Sequence, residues 1–166
     1  VRMKISSWTR LDHNTMPPAA KTVGNYVNSS LAKVEALKAG YDEAIMLNPQ
    51  GFVSECTGEN IFVVRNGVIL TPPLSAGALE GITQNCVAQI AAELGYEMRV
   101  ENIVRSDLYI AEEIFCCGTA AEVSAINSVD DREVPCPGPI TTAIAGLYAK
   151  AVRGQVPHYK QWCELA

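Results

Sequence analysis

The chain has 166 residues, 48% of them hydrophobic and 19% charged, and carries a net charge of -5; this fits one folded domain with a full core and excludes a disordered chain. The acid excess and the lack of any Lys/Arg cluster give no footprint for nucleic acid or an anionic membrane, so the expected partner is a small molecule. No stretch is apolar enough to span a bilayer, the first ten residues lack a signal-peptide core, and six cysteines without a C-x-x-C pair read as reduced thiols in a cytoplasmic protein.

Val1, Met3 and Ile5 alternate with Arg2, Lys4 and Ser6, the period of a strand that buries one face; a chain opening there without Met reads as a piece of a longer protein. Two prolines stiffen Met16-Pro17-Pro18-Ala19-Ala20-Lys21, which places Lys21 on or just after a constrained loop. From Tyr26 to Ala39 the apolar residues Val27, Leu31, Val34 and Leu37 recur at helical spacing, and Gly40 is positioned to close the helix. Strand-like runs follow at Glu43 to Leu47, Phe52 to Glu55, Ile61 to Val64 and Val68 to Leu70, with Asn66-Gly67 predicting a tight hairpin between the last two. A helix with Ile82, Cys86, Val87, Ile90 and Leu94 on one face starts near Gly81-Ile82-Thr83 and stops at Gly95. Tyr96 to Val104 reads as a strand, Ser106 to Tyr109 as a helical turn, Glu113 to Cys117 as a buried strand and Val123 to Val129 as another, before a turn at Asp130-Asp131-Arg132. The final helix runs from Pro139 to Arg153, with Ile140, Ile144, Leu147 and Ala151 facing inward and Gly154 beyond it. Seven to nine short strands in runs, with three helices, predict a single mixed α/β domain of α+β type over residues 1–166.

Each feature that could carry chemistry also has an ordinary explanation. A desolvated Lys21 would be nucleophilic, but a lysine taken alone reads first as a solvated surface charge. Gly81-Ile82-Thr83 offers free amides and the positive end of a helix dipole to a phosphate, or is simply a helix start. Gly118-Thr119-Ala120-Ala121 is either a second anion nest or a turn. Glu55 and Glu59 flank Cys56-Thr57-Gly58; without a nearby histidine they make poor metal ligands and fit acid-base work or a solvated loop better. His13 and His158 stand alone and read as surface residues, while Cys116 and Cys117, adjacent in a strand, point to opposite faces and read as core.

Taken in order, four segments resemble the motifs of the branched-chain amino acid aminotransferases, which are class IV (fold-type IV) pyridoxal phosphate enzymes. They are Pro18 to Tyr26, Gly51 to Phe62, Gly81-Ile82-Thr83 and Gly118 to Val123, within a similarity running from about Val1 to about Gly154. The resemblance implies the large C-terminal domain of the D-amino acid aminotransferase-like fold, a curved sheet or pseudo-barrel with flanking helices, the small N-terminal domain lying outside this chain. It implies pyridoxal 5′-phosphate as the cofactor and Lys21 as the catalytic amine that binds it covalently and relays the substrate Cα proton. Glu55 would face the pyridine nitrogen, Tyr26 the phenolic oxygen, and Ile82, Thr83 and Thr119 the phosphate. Tyr26, Thr119 and Ala120 would also meet the substrate, and Glu59 and Asn60 would support the site from behind.

The implied activity is transfer of the amino group of leucine, isoleucine or valine to 2-oxoglutarate, in a homodimer or larger homo-oligomer. On this reading the fragment alone holds an incomplete site, because the missing domain supplies an arginine to the phosphate and most of the side-chain pocket. Alternatives are a D-amino acid aminotransferase, an R-selective amine transaminase, an aminodeoxychorismate lyase, a non-enzymatic domain or a phosphate-binding module. The sequence departs from the family's pattern at Val23, usually a small residue, at Gln84, commonly Arg, at Cys56, typically Gly, and in Ser124-Ala125-Ile126, which lacks an expected proline.

Overall fold

The computed structural model describes residues 1–163, so the last three residues of the expected domain lie outside it. Its layering follows from two strands whose middle residues are apolar. β4 (Asn60–Arg65) and β7 (Glu113–Gly118) are buried on both faces, because successive side chains of a strand point to opposite sides. Ile61, Val63, Ile114 and Cys116 enter one core, while Phe62, Val64, Phe115 and Cys117 enter another. β4 and β7 pair antiparallel with Phe62 opposite Phe115, and the two rings stack with centroids 4.7 Å apart.

These strands are the centre of a five-stranded sheet in the order β6 (Met98–Val100), β5 (Val68–Thr71), β4, β7, β8 (Glu122–Ile126). A second five-stranded sheet runs β10 (Arg132–Glu133), β9 (Ser128–Val129), β1 (Arg2–Ile5), β2 (Glu43–Leu47), β3 (Val53–Cys56). Strands β1 and β2 are parallel, which requires a crossover, and α1 (Tyr26–Lys38) supplies it. The first core lies between the sheets, with Met3, Ile5 and Ile45 from one and Ile61, Val63 and Ile114 from the other, joined by Leu108 of the short α3 (Arg105–Tyr109). α2 (Ile82–Glu93) and α4 (Pro139–Ala151) cover the outer face of the β4 sheet, and α1 covers the outer face of the β2 sheet. The expected mixed α/β class is what forms, as two five-stranded sheets that close into no barrel among the described residues.

Several local expectations hold in detail. Asn66 and Gly67 both adopt positive φ, 50° and 72°, as a two-residue hairpin turn requires. Gly40, Gly95 and Gly154 follow α1, α2 and α4 in the same left-handed conformation.

Others are corrected. The stripe Val27, Leu31, Val34 and Leu37 lies on the exposed side of α1; the buried side is Ser29, Ala32 and Ala36. Only small residues allow the helix to approach Ala44 and Met46 of β2 this closely, so size rather than hydrophobicity chose the face. In α2, Ile82 is exposed and Leu94 falls beyond the helix, and Thr83 and Ala91 join Val87 and Ile90 on the buried side. The strand expected over Val123 to Val129 is two strands in different sheets: Ile126 pairs with Ile114, whereas Ser128 and Val129 pair with Arg2 and Met3, the chain changing sheets at Asn127. The strand expected from Tyr96 keeps its ladder only over Met98–Val100, after which Ile103 drops into the core between the sheets. The last helix ends at Ala151, two residues early, and there are ten strands and four α-helices among the described residues.

Candidate active site

One end of the two-sheet stack opens into a cavity of about 340 Å³. Its walls come from the loop between β1 and α1, the turns that follow β3 and β7, and the start of α2. Lys21, Tyr26, Glu55, Ile82, Thr83 and Thr119 all line it. Residues separated by almost a hundred positions are therefore brought to one space. Ala120 does not line the cavity; it sits exposed in the turn after β7, one residue further out than Thr119.

The lysine loop is held by Asn25, whose buried side-chain amide donates to the carbonyls of Pro17 at 2.9 Å and Ala20 at 2.8 Å. Lys21 Nζ donates to Tyr26 Oη at 3.0 Å and lies 5.7 Å from the centre of that ring. The desolvation expected for Lys21 is absent, since the proline-containing loop carries its side chain to an exposed edge of the cavity. Val23 is 88% exposed and points away, so the bulk it adds crowds nothing.

Glu55 is the buried acid of the cavity. Its Oε1 meets a nitrogen of Arg10 at 2.5 Å, and its Oε2 accepts the backbone N–H of Leu79 at 3.0 Å. Arg10 is as buried as its partner and donates further to the Gly77 carbonyl and to Ser29 Oγ. Nothing in the sequence marks Arg10, which precedes Lys21 on the same loop and looks like any surface arginine. Burial pushes the Glu55 carboxyl up to about 7, against the opposing pull of Arg10, the Leu79 amide and Lys21. A carboxylate so far out of water loses more hydration than these three neighbours return. Glu59, on the same wall, is also raised, first by burial and then by the charge of Glu43.

The phosphate-binding expectation rests on the start of α2. Gly81 precedes it in an extended conformation, so the amides of Ile82 and Thr83 begin the helix without an intrahelical acceptor. The Ile82 side chain is exposed, and any role it has here belongs to its backbone. Gln84 tightens the same turn, its Oε1 accepting from Gly81 N at 3.4 Å and its Nε2 donating to Thr71 Oγ1 at 3.2 Å. Cys56 turns away from the cavity into the core, with Sγ 3.8 Å from Met3 Sδ.

The raised Glu55 gives a pH prediction for the ligand-free protein. A carboxyl whose folded-state pKa is about 7 against 4.5 favours folding fully below pH 4.5, and that contribution is lost as pH rises through 7. The loss amounts to about 3 kcal/mol. The stability of the parent protein minus that of Glu55→Gln, from denaturant titrations, should fall by this amount between pH 4.5 and 8; a difference that stays flat or rises would remove the buried-acid assignment.

An amine beside a phenol, a buried acid and a helix start thus share one cavity. Residues 1–129 match the amino-transferase class IV family, and the chain belongs to it. The chain is 48% identical over 165 residues to a probable branched-chain-amino-acid aminotransferase of Aquifex aeolicus, covering 98% of this chain and 53% of that protein. It superposes with a TM-score of 0.96 on a branched-chain aminotransferase of Thermoproteus uzoniensis solved with norvaline, at 49% identity over 98% of this chain and 54% of the other. The branched-chain amino acid aminotransferase of Thermobaculum terrenum in its PLP form gives a TM-score of 0.95 at 42% identity, over 97% of this chain and 53% of the other. The chain thus spans about half the length of the relatives it matches. No helix among the described residues is long and apolar enough to cross a membrane.

Proposed function

We propose that the full-length protein containing this chain is a pyridoxal 5′-phosphate-dependent aminotransferase that moves the amino group of leucine, isoleucine or valine to 2-oxoglutarate. The observation that carries this reading is the shared cavity, in which Lys21, the buried Glu55 and the start of α2 face one space of ligand size. This donor set fits the cofactor: an amine for its aldehyde, an acid for its ring nitrogen, amides and hydroxyls for its phosphate. When bound, the cofactor supplies a ring that accepts the electron pair left on the substrate Cα.

Lys21 Nζ would take the proton from that Cα and pass it to C4′ of the cofactor, and Tyr26 Oη orients the amine. Glu55 keeps a proton on the ring nitrogen by presenting its carboxylate, aimed by Arg10 and the Leu79 amide. The amides of Ile82 and Thr83, at the positive end of α2, and the Thr119 hydroxyl bind the phosphate. Thr119 presents its backbone amide to the substrate carboxylate, beside Tyr26.

On this reading residues 1–166 are the large C-terminal domain, and the half of the relatives' length that the chain does not span contributes the rest of the substrate pocket. The exposed apolar residues Val27, Leu31, Val34 and Leu37 on α1 support association into a homodimer or larger homo-oligomer. Pyridoxal 5′-phosphate added to the full-length protein should give a visible absorbance band, which borohydride bleaches as it fixes the cofactor on Lys21, located by peptide mass. Amino donors should then rank leucine, isoleucine and valine above D-alanine and simple amines. A preference for D-amino acids or amines would move the protein to a neighbouring activity of the same family, and failure to bind the cofactor would end the reading.

A further inference from the structure

The Glu55 carboxylate and the start of α2 would meet opposite ends of one cofactor, yet they belong to different elements. Between them runs the segment 77–81, and the backbone of Leu79 is held at both its N–H and its carbonyl. The Leu79 N–H donates to Glu55 Oε2 at 3.0 Å, while its carbonyl accepts from Asn60 Nδ2 at 2.8 Å. Asn60 opens β4, is 7% exposed and lines the cavity. Its other amide atom, Oδ1, lies so close to Gly81 that a Cβ on residue 81 would overlap it. Gly81 in turn caps α2. One side chain therefore ties the backbone beside the ring-nitrogen acid and bears on the backbone that begins the phosphate-binding helix.

We infer that Asn60 is a positioning residue that sets the separation between the Glu55 carboxylate and the N-terminus of α2, and so the span of ligand the cavity accepts. The inference rests on the cofactor reading proposed above. Asparagine suits the task because its carboxamide donates to a carbonyl and abuts a glycine without adding a charge that would repel an anion at the helix start. The consequence is specific: a ligand that touches both ends senses the separation, and a ligand that touches one end does not.

The test uses the full-length protein and three probes: pyridoxal 5′-phosphate, pyridoxal without the phosphate, and inorganic phosphate, with dissociation constants from calorimetry. Asn60→Ala should weaken pyridoxal 5′-phosphate by about tenfold, or about 1.4 kcal/mol, while each of the two smaller probes stays within about twofold. Gly81→Ala shifts the same separation from the other side and should give the same pattern. The double variant should bind no worse than Asn60→Ala, because the overlapping oxygen is gone. Equal losses for all three probes, no loss for pyridoxal 5′-phosphate, or additive losses in the double variant would overturn the assignment. If Asn60→Ala does not fold, the Gly81→Ala pattern decides alone. A parent protein that binds none of the probes would instead remove the cofactor reading itself.

Discussion

Lys21→Ala in the full-length protein will no longer fix pyridoxal 5′-phosphate under borohydride, and its transamination rate will drop by roughly a thousandfold. The size follows from two roles resting on one atom. Lys21 Nζ is the one lysine amine in the cavity wall among the described residues, so no neighbour can replace it either as the covalent attachment or as the proton carrier. Arg10, the other base there, is committed to Glu55, Ser29 and Gly77, and a guanidinium cannot act as a base near neutral pH. Tyr26, which accepts from Lys21 Nζ, loses that partner but keeps its place at the start of α1, so the cavity itself should persist. Non-covalent uptake of the cofactor should accordingly survive, carried by Glu55 and α2, and circular dichroism should be unchanged. Borohydride labelling at another residue, together with retained turnover, would show that the amine of the reaction lies elsewhere.

The legible parts of this protein were those written in local pattern. Asn66-Gly67 announces its hairpin because both residues tolerate positive φ, and Glu113 to Cys117 announces a strand buried on both faces because no polar residue interrupts its middle. The site motifs were legible only together, because each taken singly has an ordinary structural reading and it is their order and spacing that resemble one family. What stayed hidden depends on contacts between distant segments. The exposed side of α1 is the more apolar one, and only the distance of closest approach to Ala44 and Met46 reveals that small residues must face inward. Nothing local tells that Val123 to Val129 serves two sheets, because either sheet could pair an apolar run equally well. Arg10 escaped notice because its burial is created by Glu55, Ser29 and Gly77, three residues that lie far from it in the chain.

Arg10→Met should cost about 3–5 kcal/mol of stability at pH 8, the effect of removing one partner from a buried ion pair. The side chain it removes is 6% exposed and anchors three acceptors, so Gly77 O and Ser29 Oγ lose a donor at the same time as Glu55 loses its countercharge. The cost should then shrink on acidification, and this separates an electrostatic role from simple packing. In the parent protein burial already holds Glu55 up to about 7, and without Arg10 the same carboxyl moves higher still, because the attraction that opposed burial is gone. Below about pH 5 Glu55 is neutral in both proteins, so the stranded charge disappears and only the lost hydrogen bonds and packing remain. Urea titrations of the ligand-free pair at pH 5 and pH 8 read this directly, as a gap that widens with pH. A gap equal at both pH values would mean that Arg10 serves as a packing strut and hydrogen-bond donor, and that the acid it faces is aimed by the Leu79 amide alone.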